Sequence, residues 1–228
     1  MIKEWFSDVA KLLFPKVCVL CKQDLISEEN HLCSLCLSEL PQTNFTNHSE
    51  NVLTNKLKGR FDFEKANALY YFNIESKVQD ILHEVKYKSN EQLAYYLGEL
   101  LALKLKDSLK EIDVIIPVPL HKKRILERGY NQSALLAEGL GARLNIEVEE
   151  GVVQRKKHTE TQTKKNRSER VENMKNAFQW DTAVRNKRIL FLDDVITTGA
   201  TLESLVLAMP AEWNNQVNIL SFAAAIES

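Results

Sequence analysis

Residues 189–201, ILFLDDVITTGAT, decide the fold because of the order in which their side chains occur. Residues 189–192 are apolar enough to form a buried strand, and Asp193 and Asp194 follow at its carboxyl end. Adjacent carboxylates repel each other unless a cation or sugar hydroxyls bind them. Small residues at 197–201 then lead into a helix, whose N-terminal amides and hydroxyls suit a phosphate. The order predicts one ligand with a diol close to a phosphate, such as a ribose 5-phosphate. The alternative is a strand end with an N-capping threonine and two solvated carboxylates.

Strand and helix patterns alternate around this stretch. Apolar runs predict strands at residues 67–73, 113–120, 187–195 and 217–226. Amphipathic periodicity predicts helices at residues 76–87, 90–109, 130–144 and 200–209. The alternation predicts an α/β fold, a parallel sheet flanked by helices on both faces, with a ligand bound where loops follow the carboxyl ends of the strands.

Composition limits the class of protein. The chain has 228 residues, of which 44% are hydrophobic and 27% charged. Its longest apolar runs are shorter than the roughly 18 residues that a membrane helix needs. The first residues carry Glu4 and Asp8 and have no small-residue cleavage site, so we expect no secretory signal, no membrane span and a cytoplasmic location. The net charge of −1 argues against general electrostatic binding of nucleic acid.

All four cysteines lie in two C-x-x-C pairs with eleven residues between them: Cys18, Cys21, Cys33 and Cys36. Two such pairs can direct four thiolates at one Zn²⁺, which stabilises a segment too short to form its own core. Four sulfur ligands leave no position for water, so we expect a structural metal. A disulfide pair and reduced structural cysteines are the alternatives.

Two segments flank the cysteine pairs. Apolar residues between Ile2 and Leu13 recur at helical spacing and predict a helix that ends at Pro15. Residues 41–55 are polar and predict a linker. We therefore place a domain boundary near residue 58, with the N-terminal helix and the zinc-binding module in residues 1–58 and the α/β domain in residues 59–228.

A basic segment forms a candidate anion contact. Residues 154–175 contain eight Lys or Arg against three Glu, a local balance of +5. The segment has no apolar periodicity, which predicts a flexible loop. Its candidate contacts are Arg155, Lys156, Lys157, Lys164, Lys165 and Arg167. The same cations could follow the backbone of single-stranded DNA, although His158 alone offers aromatic stacking, or form a solvated loop without a ligand.

Residues 189–201 resemble, at all thirteen positions, the phosphoribosyl-pyrophosphate (PRPP) signature of the type I phosphoribosyltransferases. The resemblance implies that Asp193 and Asp194, as the catalytic pair, hold the ribose 2- and 3-hydroxyls, with Mg²⁺ bridging these hydroxyls and the pyrophosphate. It implies that the 5-phosphate is wrapped by Val195, Ile196, Thr197, Thr198, Gly199, Ala200 and Thr201. The chain has no G-x-x-x-x-G-K-[ST] motif, which excludes a P-loop nucleoside triphosphatase.

Longer stretches narrow the resemblance. Three features that follow a four-cysteine module resemble, in their order along the chain, the ComF/GntX proteins, the ComFC-like competence family. They are DVIIPVPLHKKRILERGYNQSALLAEGL (113–140), RKKHTETQTKKNRSERVENMKNAF (155–178) and the diacid. The resemblance implies that residues 59–228 form a phosphoribosyltransferase-like domain. The four cysteines of the N-terminal module leave room for a single zinc. It also implies that the basic segment 155–170 closes over PRPP.

Residues 117–121 follow the strand predicted at 113–116 and are similar in placement to the pyrophosphate loop of the type I enzymes. The predicted PRPP contacts here are Pro119, Leu120, His121, Lys122 and Arg128. A cation such as Arg128 is electrostatically suited to a pyrophosphate. Tyr130 and Gln132 either line the pocket or pack in the following helix.

Two function classes follow from the resemblance. The first is an enzyme that transfers phosphoribosyl from PRPP to an acceptor that the sequence does not reveal. The second is a PRPP-sensing adaptor that docks to the DNA-uptake machinery. The family implies a role in natural transformation, with single-stranded DNA, a competence helicase or a recombination mediator as partners. A plain DNA-binding zinc protein, in which Asp193 and Asp194 have no function, is a third alternative.

Overall fold

A parallel sheet forms the centre of the molecule. The computed structural model describes residues 16–45, 50–88, 90–156, 174 and 176–226. The strands are β1 (Lys65–Tyr71), β2 (Val114–Pro117), β3 (Glu147–Val148), β4 (Val153–Arg155), β5 (Phe178–Trp180), β6 (Arg188–Ile196) and β7 (Gln216–Ala224). Five strands form one all-parallel sheet in the order β1-β7-β6-β2-β3, while β4 and β5 pair as a separate antiparallel hairpin. The predicted α/β fold with a parallel sheet is confirmed.

Helices connect the strands. They are α1 (Ser34–Ser38), α2 (Val52–Leu57), α3 (Lys77–Tyr87), α4 (Glu91–Leu105), α5 (Lys122–Arg128), α6 (Gln132–Leu144) and α7 (Ala200–Leu207), with short 3₁₀ turns at Lys106–Ser108 and Ala211–Trp213. Ser76, Asn90 and Asn131 cap α3, α4 and α6 by accepting a hydrogen bond from a first-turn amide. Such caps satisfy amides that have no partner within the helix, and they fix where each helix begins.

The two faces of the sheet bury two separate cores. Leu190 and Leu192 of β6 pack on one face with α3, α4 and α6. Ile189 and Phe191 pack on the other face with α2, α7 and the β4–β5 hairpin. The alternation follows from the two-residue period of a strand, and both faces are covered because a parallel sheet is buried on both sides.

Two glycines set the packing of α4 against α6. A Cβ atom at Gly98 would lie 2.1 Å from the carbonyl oxygen of Leu136, and a Cβ at Gly139 would lie 2.1 Å from that of Tyr95. The helix backbones therefore approach more closely than side chains would allow. This packing holds the N-terminal end of α6 beside the carboxyl end of β6.

The described residues of the segment predicted as a linker, 41–45 and 50–55, pack against the sheet. Gln42 pairs with Tyr70 of β1, and the amide of Thr43 donates to the carbonyl oxygen of Leu69 at 3.1 Å. Leu53 and Leu57 of α2 are fully buried. The backbone groups along the outer side of β1 need partners, and these residues supply them. The i, i+4 spacing of Leu53 and Leu57 was the available signal for α2.

Most predicted elements lie where the patterns place them, within a few residues. Helices α1, α2 and α5 and the short strands β3, β4 and β5 were not predicted from the sequence. The helix predicted between Ile2 and Leu13 lies outside the described residues. None of the helices in the described part of the chain has both the length and the low polarity that crossing a bilayer requires.

Candidate functional site

A cavity of about 420 Å³ opens at the carboxyl ends of β2 and β6. Nine of the side chains predicted from the sequence line it: Pro119, Leu120, His121, Arg128, Arg155, Lys156, Asp193, Asp194 and Thr201. Arg124 of α5, a cation of the segment that follows β2, lines it too, and so does Lys86 of α3, which was not predicted from the sequence. Residues from the segment after β2 and from α3, α5, the hairpin, β6 and α7 therefore meet at one place, which we call the diacid cavity.

Asp193 and Asp194 lie at the base of the diacid cavity. Oδ1 of Asp193 accepts hydrogen bonds from the Ser133 hydroxyl at 3.0 Å and from the backbone amide of Asp194 at 2.9 Å. Oδ2 of Asp194 pairs with Nζ of Lys86 at 2.8 Å. Asp194 is only 8% exposed, so Lys86 compensates a charge that would otherwise be buried alone.

The pair has unusual electrostatics. Burial raises the pKa of Asp193 to about 7, and repulsion by Asp194 acts in the same direction. The hydrogen bond from Ser133 and the charge of Lys86 oppose this rise but do not cancel it. Near neutral pH such a carboxyl occurs in both protonation states, and a cation or hydrogen-bond donor supplied by a ligand would favour its ionised form.

One residue of the segment after β6 lines the site. Of residues 195–201, Thr201 alone lines the diacid cavity. Val195 packs against one core and Ile196 is buried in the other, so their predicted contact with a ligand does not involve their side chains. Thr197, Thr198 and Ala200 are exposed in the turn that leads to α7.

Gly199 is required in this turn for two reasons. Its φ of +75° is a left-handed conformation that other residues rarely adopt. A Cβ atom there would also lie 2.4 Å from Cδ2 of Leu57 in α2. Helix α2 therefore lies directly against the turn.

Arg60 is a second contact between the α2 segment and the turn. Its Nη1 donates to the carbonyl oxygen of Thr198, and its Nε donates to Oε2 of Glu203 in α7 at 2.9 Å. Arg60 was not predicted as a site residue, because no local sequence pattern relates it to contact residues about 140 positions later in the chain.

The segment after β2 orients several cations. His121 caps α5 by accepting a hydrogen bond from the amide of Lys123 at 3.2 Å, and Gly129 ends the helix with φ +87°. Arg128 is 8% exposed and donates to Oε1 of Gln132 at 2.9 Å. Lys122, a predicted PRPP contact, does not line the diacid cavity and instead lines a separate cavity of about 200 Å³.

Tyr130 and Gln132 have packing roles. The Tyr130 hydroxyl donates to the carbonyl oxygen of Val85, and Gln132 is buried at the start of α6. Gln132 also holds Arg128 at the wall of the diacid cavity. Its contribution to the site is therefore made through Arg128.

The β4–β5 hairpin brings together the two ends of the basic segment. The amide of Lys156 donates to the carbonyl oxygen of Ala177 at 2.9 Å, and both residues line the diacid cavity. The Arg155 guanidinium lies 5.7 Å from the ring centre of Phe178. Burial lowers the pKa of Arg155, repulsion by Arg124 adds to this, and Asp193 opposes it. The other predicted loop cations, Lys157, Lys164, Lys165 and Arg167, lie outside the described residues.

The four cysteines form one cluster. All are free thiols, and their Sγ atoms all lie within 4.8 Å of one another. Tetrahedral Zn–S bonds of about 2.3 Å place sulfurs about 3.8 Å apart, and Sγ of Cys21 lies 3.7 Å from Sγ of Cys33. The amide of Cys33 also donates to Sγ of Cys18 at 3.4 Å. The cluster could therefore bind a metal such as zinc.

The cysteine cluster packs on the α/β domain. Cys18 and Cys36 are buried in the same core as Tyr70 of β1 and the helices α3 and α4. The His31 ring lies 5.4 Å from the ring of Tyr96 in α4, so this histidine is a neighbour of the four thiols and is outside their cluster.

Comparison with known proteins identifies relatives. The chain is 32% identical over 203 residues to competence protein F of Haemophilus influenzae, covering 82% of this chain and 88% of that protein. It is 26% identical over 196 residues to competence protein ComFC of Bacillus subtilis, covering 82% and 75%. It is 32% identical over 130 residues to the DNA utilization protein YhgH of Escherichia coli, covering 55% and 57%.

Solved structures give weaker similarities. An allosteric regulatory enzyme of purine biosynthesis has a TM-score of 0.42 and 22% identity, covering 60% of this chain and 29% of that one. A hypoxanthine phosphoribosyltransferase from Staphylococcus aureus has a TM-score of 0.36 and 13% identity, covering 65% and 71%. No protein-family model matches the chain. Because its identity to the Haemophilus influenzae protein extends over most of both chains, the chain belongs to the ComF family of competence proteins.

Proposed function

We propose that the chain binds PRPP together with Mg²⁺ in the diacid cavity and transfers the phosphoribosyl group to an acceptor. One observation supports the proposal most directly. Asp193, Asp194 and Thr201 line the same cavity of about 420 Å³ as the cations of the β2–α5 segment. PRPP has a diol, a 5-phosphate and a pyrophosphate, and this cavity offers a partner for each.

The diacid and the following turn bind the sugar phosphate. The carboxylates of Asp193 and Asp194 accept hydrogen bonds from the ribose hydroxyls. The turn that Gly199 forms presents backbone amides and the Thr201 hydroxyl to the 5-phosphate, at the N-terminal end of α7 where the helix dipole favours an anion.

The cations act on the leaving group. When pyrophosphate departs, the bond from C1 of ribose breaks and its electron pair leaves with the pyrophosphate, while the acceptor bonds to C1 and loses its proton. Arg124, Arg128 and Arg155 line the cavity and stabilise the negative charge that develops. Asp193 and Asp194 would be the residues to hold Mg²⁺, which would supply further positive charge to stabilise the leaving pyrophosphate.

We further propose that Cys18, Cys21, Cys33 and Cys36 hold one structural Zn²⁺. The sulfur spacing and the amide hydrogen bond to Cys18 support a four-thiolate site. Such a site offers no open position for catalysis. Its contribution is to fix the N-terminal segment on the core that it shares with α3 and α4.

The names of the relatives support a place in DNA uptake. Competence protein F and ComFC are competence proteins by name, and YhgH is named for DNA utilization. We propose that this chain also acts in competence, with PRPP as its small-molecule ligand and the machinery that handles incoming single-stranded DNA as its partner.

Calorimetric titration of PRPP with Mg²⁺ tests the proposal. The wild-type chain is compared with the double variant Asp193→Asn/Asp194→Asn, and with Asp107→Asn as a control, since Asp107 is an exposed carboxylate outside the cavity. We expect binding to the wild type and the control and none to the double variant. Equal affinity in all three would refute the site. Pyrophosphate release in the presence of an acceptor then distinguishes transfer from PRPP sensing, in which PRPP stays intact.

A further inference from the structure

A second pocket lies beside the diacid cavity. Its volume is about 400 Å³, and it is lined by Tyr87, His121, Lys123, Arg124, Glu127 and Arg128. His121, Arg124 and Arg128 line both spaces, so these three side chains form a shared wall. Tyr87, Lys123 and Glu127 face only the second pocket. We call it the Tyr87 pocket.

The charge of the Tyr87 pocket is positive. Lys123, Arg124 and Arg128 are opposed by one carboxylate, that of Glu127. Arg128 is more than nine-tenths buried, and no carboxylate of the described part of the chain lies within 4.0 Å of it. The one hydrogen bond that its side chain makes among the described residues goes to the neutral amide of Gln132. A buried cation without an anionic partner is unfavourable, so this wall is suited to an anionic ligand.

An aromatic side chain stands at the same pocket. The Tyr87 side chain is exposed to 63%. The guanidinium of Arg128 lies 5.6 Å from its ring centre, and the His83 ring lies 4.7 Å from it. An exposed ring beside cations offers stacking to a planar group and charge pairing to a phosphate.

We propose that the Tyr87 pocket binds a second ligand that carries both a phosphate and a planar aromatic ring, which is the chemistry of a nucleotide. PRPP has no aromatic ring, so the inference goes beyond the proposed function and assigns a different molecule to an adjoining site. The phosphate pairs with Lys123 and the shared arginines, and the ring contacts Tyr87. A free mononucleotide and the terminal nucleotide of a single strand share this chemistry.

The probe for the test is 2′,3′-dideoxyadenosine 5′-monophosphate. It has the phosphate and the ring but lacks the diol that Asp193 and Asp194 would bind. Because its phosphate could still enter the diacid cavity, Thr201→Val, which changes a residue of that cavity only, is tested beside it, and weaker probe binding by this variant would overturn the assignment to the Tyr87 pocket. Tyr87→Ala removes the ring, and Lys123→Glu reverses a charge that faces only the Tyr87 pocket. Lys104→Glu makes the same charge change at an exposed position of α4 outside both pockets and is the matched control.

Titration of the probe gives the decisive comparison. We expect each pocket variant to weaken the affinity for the probe by about tenfold, as loss of one stacking or charged contact does. The Lys104→Glu variant should bind it like the wild type, and the affinity of Tyr87→Ala for PRPP should stay within about twofold. No probe binding to the wild type, or equal binding by the wild type and both pocket variants, would overturn the inference.

Two further arms identify the source of the ligand and separate this inference from the proposed function. A 5′-phosphorylated trithymidylate that binds more tightly than the mononucleotide assigns the site to the end of a strand, whereas weaker binding assigns it to a free nucleotide. The Asp193→Asn/Asp194→Asn variant should still bind the dideoxy probe. If the wild type binds the probe but not PRPP, the assignment of the Tyr87 pocket is supported and the proposed transferase function is refuted.

Discussion

Arg60 and Glu203 join two parts of the chain that are 143 positions apart, with Nε of Arg60 2.9 Å from Oε2 of Glu203. The same guanidinium donates to the carbonyl oxygen of Thr198. One arginine therefore fastens the turn after β6 both to α7 and to the segment that follows α2. The carboxyl end of β6 provides the acidic groups of the site, but this contact holds the neighbouring turn in shape.

The Arg60→Gln variant should bind PRPP about tenfold more weakly than the wild type, because the turn loses the charged hydrogen bonds that hold it. Lys58→Gln is the control, since Lys58 lies close by and pairs with Glu50 at the surface. Calorimetric titration measures both. The double variant Arg60→Gln/Glu203→Gln should be little worse than Arg60→Gln, because the two residues act through one contact. Strictly additive losses would show that they act separately.

Gly199→Ala should lower the free energy of unfolding by more than the cost of its backbone conformation alone. The control is Gly151→Ala, because Gly151 also has a positive φ, +87°, but a Cβ atom there would have no other atom within 4 Å. Left-handed backbone costs about 1–2 kcal/mol for a residue with a side chain. The excess loss in Gly199→Ala measures the collision with Leu57, and urea denaturation determines it. Equal losses would mean that Leu57 moves aside without cost.

The stability of the protein should depend on pH through Asp193. Its pKa is about 7 in the folded chain against an ordinary value of 3.8, so between these values the folded state holds a proton that the unfolded state has lost. This difference in bound protons lowers the free energy of unfolding as the pH rises from about 4 to about 7. Above pH 7 the loss of stability stays at its full value. Asp193→Asn should therefore stabilise the chain at pH 8 and much less at pH 5. Denaturation at both values gives the difference, and a constant offset would contradict the assignment.

Removal of the proposed zinc should destabilise the whole described structure. Cys18, Cys33 and Cys36 are buried in the same core as Tyr70 and Phe222 of the sheet. Chelation, or the Cys33→Ser variant, should therefore lower one cooperative melting transition and release about one equivalent of zinc. Ser38→Ala changes an exposed residue of the same module and serves as the control. Two separate transitions would show instead that the cysteine module and the sheet unfold independently.

The sequence allowed the sheet and the acidic end of β6 to be predicted because both are local patterns. Apolar runs mark buried strands, and the diacid follows one of them directly. Arg60, Lys86 and Ser133 were missed because each reaches the site from a distant element, and a single polar residue in a helix or turn has no pattern of its own. Helix α2 was missed because two buried leucines stand among polar residues, and their burial depends on β1.

Neither edge of the central sheet offers a long free strand within the described part of the chain. Residues 41–43 pair along the outer side of β1, and β3 at the opposite edge is only two residues long. Long open edges allow aggregation or strand addition by a partner, whereas covered or short edges give a partner strand few backbone groups to pair with. We therefore expect a protein that docks on this sheet and its helices to recognise side chains of the helices and loops, so that its specificity can be changed by surface mutations that leave the central sheet intact.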